Sequence, residues 1–557
     1  MTELIFRFAD DEATLLARIL ENIPNAQVTF LLNQYGIIRL NASDATLFST
    51  LPGIIYVEAS RSLYFTELTE SYLNKTISCL PTGGRNAEIG LQNDFNVLTG
   101  SGVLLGIIDS GIDYRHPEFL TENGQTRIVA LWDQSISNGT PPDGYFLGSL
   151  FTEEQINAAL SQPTAQNSVP SQDTSGHGTH VAGICGGSRI GVAPNASLLI
   201  VKLASPIPGG FPRTSELMQG IDFCVRESVR LDMPIAINLS FGNSYGSHLG
   251  TSLLETYIDS LNGVGKSTLV TGSGNEGAGG GHKEITLTPD TSTAPIEVVL
   301  SVAELQPALN LQIWKNFVDI MSIEMTAPTG ETFSFLPDTS GEYSVGSTLT
   351  GEATTLLRYI YSLPSFYQLA QELYLSFEPT VSYITPGFWR IRFTPERIVA
   401  GRVHLWLPGE AARNVQTRFL EPTPFGTFTI PSTASRILTV GAYNTANDTY
   451  ADFSGRGFND FLPRTNKPDL AAPGVNIISA AVGGGYVAQS GTSMAAPFVS
   501  GACALFMEWG VVNGNDSYLY GEKIKAFLQH GARRLPAFNT YPNPYVGYGA
   551  LCLRNSF

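Results

Sequence analysis

Nowhere in the 557 residues do about 18 apolar residues follow one another without a break, the length a helix needs to cross a bilayer, so a membrane span is not expected. Basic clusters are missing too. Lys and Arg total 32 against 49 Asp and Glu, a net charge of −17 with no basic run interrupting it. Phosphate binding needs clustered cations, so a nucleic-acid partner is excluded. The acidity itself reads as solubility and carries no information about substrate. Cysteine is scarce: Cys79, Cys185, Cys224, Cys503 and Cys552 are odd in number, scattered and without a CxxC pair. That argues against a disulfide framework or a zinc site and fits buried thiols in a reducing compartment. The opening MTELIFRFADDEATLL lacks the basic start and continuous apolar stretch of a secretory signal, so a cytoplasmic location is expected.

What is present is globular. Hydrophobic residues make up 43% and charged ones 15%, and the length exceeds one ordinary core, so several domains are expected. Residues 1–65 read as βαββαβ: LIFRFA, the helix DEATLLARILENI, a hairpin of AQVTFLLN and YGIIRLNA around Asn33 to Gly36, the helix DATLFSTL opened by Ser43 or Asp44, and a last strand GIIYVEASRSLYF. This is the split βαβ, or ferredoxin-like, order. A poorly patterned linker follows, closing a first domain over 1–95. From 96 to 282 the pattern is α/β: GVLLGIID, LLIVKLA and PIAINLS read as parallel strands buried on both faces, with SELMQGIDFCVRESVRL and SLLETYIDSLNG as intervening helices. FTEEQINAAL has a capping-box start at Thr152. Residues 283–420 turn into short β-rich runs separated by Pro, Gly, Asp and Ser, as in an antiparallel sandwich. The α/β pattern returns over 421–557.

Three segments carry chemistry: LLGIIDSGID (104–113), TSGHGTHVAG (174–183) and SGTSMAAPFVSG (490–501). Asp109 ends a buried strand at the carboxyl edge of a parallel sheet, where active sites form, and its carboxylate can accept an imidazole N–H. His177 stands between Gly176 and Gly178 at a helix start. Ser493 begins a helix with small neighbours, leaving Oγ accessible and the backbone N–H available to an oxyanion. Asp113 competes with Asp109 as the acid, but lies in a turn beyond the strand end. His180 pairs in spacing with His177, yet reads as structural and not as half of a metal site. Cys185 and Cys503 sit in apolar helical runs and read as core thiols. His116, His248, His282, His404 and His530 show no partners in sequence.

These segments, in the order Asp, His, Ser, resemble the subtilase family of subtilisin-like serine proteases almost letter for letter, over about 100–282 and 425–557. The resemblance implies a subtilisin-like parallel sheet with helices on both faces and a triad of Asp109, His177 and Ser493. Asn275 of GSGNEG would join the Ser493 amide as oxyanion hole, and Leu239, Ser240, Phe241 and Gly242 would form the substrate-binding edge. The stretch AGICGGSRIGVAP is too short for the family's tight calcium loop, so no cofactor is expected beyond weak calcium sites.

The inserted β-sandwich, the N-terminal unit and RIVALWDQ before FTEEQINAAL resemble the Csp germination proteases of clostridia. That branch implies a jelly-roll insert clamping the catalytic domain. It also implies a pro-domain retained in the cleft after autocleavage within about 66–98, and a spore-associated location. The partners expected are a protein or peptide substrate, the precursor of a spore-cortex lytic enzyme, and the chain's own pro-domain, in a monomer. The rival is a catalytically silent pseudoprotease acting as a regulator or germination sensor.

Overall fold

Residues 2–65, 98–162, 164–205, 211–288, 295–335, 344–349, 355–364, 369–458 and 467–556 are described by a computed structural model. The processing segment of about 66–98 lies, but for Leu98, outside the described residues, as does Cys79. The apolar runs form a nine-stranded sheet. Its path is Thr449–Tyr450, Leu438–Asn444, Ser267–Gly272, Ile235–Leu239, Leu104–Asp109, Ser197–Lys202, Ile128–Asp133 and Ser149–Thr152, with Leu470–Pro473 added onto Leu438–Asn444. Seven of these strands are parallel; Ser149–Thr152 and Thr449–Tyr450 join as antiparallel edges.

Both faces of the sheet are covered, which is why its strands are continuously apolar. Leu105 and Ile107 point into a core with Val181 and Ile184 of the helix His177–Gly186 and Phe498 and Val499 of the helix Thr492–Met507. Leu104 and Ile108 point the other way, against Leu217 and Ile221 of Thr214–Leu231 and Tyr257 and Ile258 of Leu253–Leu261. One helical stretch, Thr492–Val512, is long and apolar enough to cross a membrane, and it lies in the protein interior. Ser493, Ser500 and Gly501 break its apolar run in sequence. The helix Glu153–Leu160 starts with the expected capping box, Thr152 N donating to Gln155 Oε1 at 2.9 Å.

The N-terminal strands Thr2–Phe8, Gln27–Leu31, Tyr35–Leu40 and Ile54–Ala59 form an antiparallel sheet in which the first strand pairs with the third and fourth. Ile5, Leu31, Tyr35 and Ile37 pack into the same core as the two outer helices. Two local readings differ. Asp44 makes no side-chain cap on the short helix Ala45–Ser49, because a 3₁₀ turn over Ala42–Asp44 leads straight into it. GIIYVEASRSLYF is not one strand: Ile54–Ala59 stays in the N-terminal sheet, whereas Tyr64–Phe65 pairs with Phe241–Gly242.

Between Gly281 and Leu420 the chain forms two antiparallel sheets, one of six strands and one of five. Along Gly387–Arg397, Trp389, Ile391 and Phe393 are buried while Arg390 and Arg392 are exposed, the alternation a half-buried strand requires. The inner faces share one core, where the Phe377 ring of one sheet meets Trp389 of the other edge-on at 5.1 Å. This unit grips the α/β domain. Gln312 Nε2 donates to Ser244 O at 3.0 Å and Trp406 Nε1 to Gly426 O at 3.0 Å. His248, His282 and His404, partnerless in sequence, all stack on Trp406 with ring centroids 4.1, 4.9 and 5.1 Å away. Burial holds His248 down at about 4 and pushes His282 down as well.

Candidate active site

Asp109 is the last residue of the strand Leu104–Asp109 and His177 the first of the helix His177–Gly186; both are fully buried. His177 Nδ1 lies 2.7 Å from Asp109 Oδ1, which also accepts the Ser110 N–H at 2.7 Å. The approach depends on Gly178, where a Cβ would stand 2.2 Å from Gly111 O and 3.1 Å from Asp109 Oδ1. Asp113 is spent elsewhere, accepting from Arg115 Nε at 3.2 Å and Gly483 N at 2.9 Å. His180 Nε2 lies 3.0 Å from both Ile477 O and Val487 O, a structural tie to the neighbouring hairpin. Cys185 and Cys503 are fully buried core thiols whose burial pushes their pKa values up, away from the reactive thiolate.

Ser493 occupies the first turn of Thr492–Met507, a position whose N–H has no acceptor within a helix. Its Oγ donates to Ser240 O at 3.3 Å, and Ser240 Oγ donates back to Ser493 O at 3.3 Å. Asn275 comes from the turn after the strand Ser267–Gly272. Its Oδ1 accepts from Thr492 N and Thr492 Oγ1, each at 3.0 Å. The amide is thereby oriented beside the serine, and its buried Nδ2 has no partner. A buried donor without an acceptor costs about 1–3 kcal/mol. Such a cost is offset when an anionic oxygen arrives between Nδ2 and the start of the serine helix.

Leu239, Ser240, Phe241 and Gly242 continue from the central sheet into this region, and the Phe241 ring lies 6.4 Å from that of His177. Against them lies the chain's own strand, with Phe65 opposite Phe241 and Tyr64 opposite Gly242. Its other side is held too: Leu63 N donates to Pro212 O at 2.7 Å and Thr214 N to Arg61 O at 2.8 Å. Residues 61–65 therefore sit between two backbone segments as an extended peptide substrate would.

Two features escaped the sequence reading. Asp173, four residues before His177, is buried and bound both to Ser110, next to Asp109, and to Thr179 of the His177 helix; an acid just ahead of a helix start was the available signal. Glu276, next to Asn275, accepts the Glu410 N–H at 3.1 Å and lies 3.7 Å from the buried Arg413. Burial raises Glu276 to about 7, with Arg413 opposing that rise. This contact ties the Asn275 turn to the end of the antiparallel sheets, and no sequence spacing announces it. Among the described residues no group of three or more His, Cys, Asp or Glu is placed to hold a metal ion.

The subtilase family profile matches residues 100–356 and 411–549, well over half the chain. A solved structure of the Clostridium perfringens CspB protease is similar at 34% identity and a TM-score of 0.75, covering 85% of this chain and 96% of that one. Among curated proteins, the subtilisin-like protease SBT3.8 of Arabidopsis thaliana is 25% identical over 84% of this chain and 62% of its own length. The PI-type proteinase of Lactococcus lactis is 23% identical over 76% of this chain and 23% of its own. The chain thus spans less than two thirds of either curated relative. The family model, the extent of the match and the likeness to CspB agree: this chain belongs to the subtilase family and is similar to its Csp branch.

Proposed function

We propose that the chain is a serine endopeptidase that processes itself between its N-terminal unit and its catalytic domain. The observation that carries this reading is the buried 2.7 Å His177–Asp109 pair beside Phe241, whose preceding residue Ser240 is bonded to Ser493, with the Asn275 amide held on Thr492. Asp109 holds the imidazole tautomer and stabilises the imidazolium. His177 takes the Ser493 proton as Oγ attacks the scissile carbonyl, then delivers it to the leaving amine. Asn275 Nδ2 and the Ser493 N–H stabilise the tetrahedral oxyanion. In the second half, His177 takes a proton from a water that attacks the acyl carbonyl and returns it to Ser493 Oγ as the acyl–oxygen bond breaks.

Residues 1–95 are the pro-domain, a ferredoxin-like unit with its linker. Its strand at Tyr64–Phe65 pairs with the Phe241–Gly242 edge. The cut is expected downstream of Phe65, within about 66–98. The sheets over 283–420 act as a jelly-roll clamp. By resemblance to the Csp branch, the proposed physiological substrate is the precursor of a spore-cortex lytic enzyme.

Intact mass of purified wild type beside Ser493→Ala tests this reading. Wild type is expected to separate into an N-terminal piece of about 70–95 residues and the remainder, with Ser493→Ala whole. The same pair incubated with the cortex-lytic precursor should show cleavage by wild type alone. If both chains stay intact and a fluorophosphonate leaves Ser493 unlabelled, the endopeptidase reading falls. The second reading, a silent regulator of the same fold, would then stand; the complete burial of His177 and Ser493, with the chain's own strand on the Phe241–Gly242 edge, is what favours it.

A further inference from the structure

The helix His177–Gly186 lacks a side-chain cap at its own N-cap position, which is Gly176 at φ +82°. Its first N–H groups need acceptors all the same. They find them through one carboxylate. Asp173 Oδ2 accepts from Thr179 N at 2.8 Å and Thr179 Oγ1 at 2.7 Å. Its Oδ1 accepts from Gly176 N at 2.9 Å, Ser175 N at 3.2 Å and Ser175 Oγ at 3.3 Å. Ser110 Oγ also donates to Oδ1, at 2.8 Å, and itself accepts the Gly178 N–H at 2.9 Å. Thr179 Oγ1 accepts the Asp113 N–H at 2.9 Å, closing a second link to the strand-end loop. Asp173 is 3% exposed, and six donors saturate the roughly four lone-pair directions of a carboxylate.

We propose that Asp173 is a positioning residue for the catalytic pair, locking the Asp109 loop to the start of the His177 helix and supplying negative charge where the imidazolium forms. The proposal rests on the endopeptidase reading above. Its geometric part follows from the bridge. Asp109 and His177 belong to different elements, and Ser110 and Thr179, one bonded to each side of Asp173, join them. Its electrostatic part follows from the helix. The N-terminal end of a helix is its positive end, a poor place to build a cation. His177 stands at that end, and its turnover passes through imidazolium. Asp109 faces Nδ1 directly; Asp173 offsets the helix end from the backbone side.

A merely structural carboxylate would change stability and leave the ionisation of the site alone. The test is the rate of Ser493 labelling by a fluorophosphonate as a function of pH, which needs no knowledge of the natural substrate. In Asp173→Asn, folded by circular dichroism, the maximal labelling rate is expected to fall at least tenfold, as small misplacements at a reacting centre do. The acid limb should move down by roughly half a pH unit, because an imidazolium without that charge forms only at lower pH. Ser110→Ala breaks the bridge and keeps the charge, so it should slow labelling several-fold with the acid limb unmoved; it decides the geometric part even if Asp173→Asn does not fold.

Labelling of Ser110→Ala at the wild-type rate overturns the proposal, as does an unshifted acid limb in folded Asp173→Asn. Wild type that never labels overturns the endopeptidase reading itself, a result distinct from either.

Discussion

Asn275 spends its carbonyl oxygen on Thr492 and keeps its Nδ2 buried without an acceptor, an arrangement stabilising only when an oxyanion is present. Asn275→Ala is therefore expected to lower kcat about 10²–10³-fold with KM little changed, the loss known for the equivalent donor of subtilisin itself. Steady-state kinetics on a peptide substrate check it; a rise in KM at constant kcat would mean that Asn275 only binds substrate. Such residues were legible in sequence because the chemistry demands particular atoms at particular chain positions. Asp173 was not, because an acid ahead of a helix is common. What sets it apart, six bonds to two segments, exists only after folding.

At the scale of elements, GIIYVEASRSLYF has the pattern of one strand and becomes two. Periodicity records which faces are buried and says nothing about the partner. Here the α/β domain takes the second half: Ser60 Oγ lies 2.8 Å from Ser215 Oγ, and Leu63 is wholly buried. The first half carries Glu58, whose carboxylate accepts the Leu253 N–H at 2.9 Å. Burial raises Glu58 to about 7; the Leu253 N–H and Arg61 oppose the rise, and Glu255 and Glu372 add to it. Tyr245, Tyr374 and Arg61 share this junction. An acid raised on folding contributes stability that is full below its ordinary value near 4.5 and lost as pH rises through about 7. In the Ser493→Ala background, the thermal midpoint is expected to fall between pH 5 and 8, and Glu58→Gln should flatten that slope. Equal slopes in the two proteins would remove Glu58 as the cause.

For the whole molecule, the inserted sheets are more than an appendage. Gln312, Trp406 and Arg413 reach into the α/β domain, Arg61 of the N-terminal unit lies 3.5 Å from Glu372 of the insert, and Glu276 joins the Asn275 turn to the insert's end. Deleting 283–420 would uncover the buried joint around His248 and Ser244. The shortened chain is expected to accumulate unfolded, as read by solubility and circular dichroism. A soluble shortened chain that still labels at Ser493 would instead make the insert a targeting module.

Sequence by itself determined the protease family and the α/β class. Both rest on local requirements: a carboxylate at a strand end, an imidazole and a hydroxyl at helix starts, and continuous apolar runs for strands covered on both sides. Only the tertiary structure decided that Tyr64–Phe65 leaves its own sheet for the Phe241–Gly242 edge, that three scattered histidines meet around Trp406, and that Asp173 joins the loop after Asp109 to the start of the His177 helix. Those are contacts between residues far apart in the chain or bound for different elements, and their energies depend on burial and geometry that no local pattern encodes.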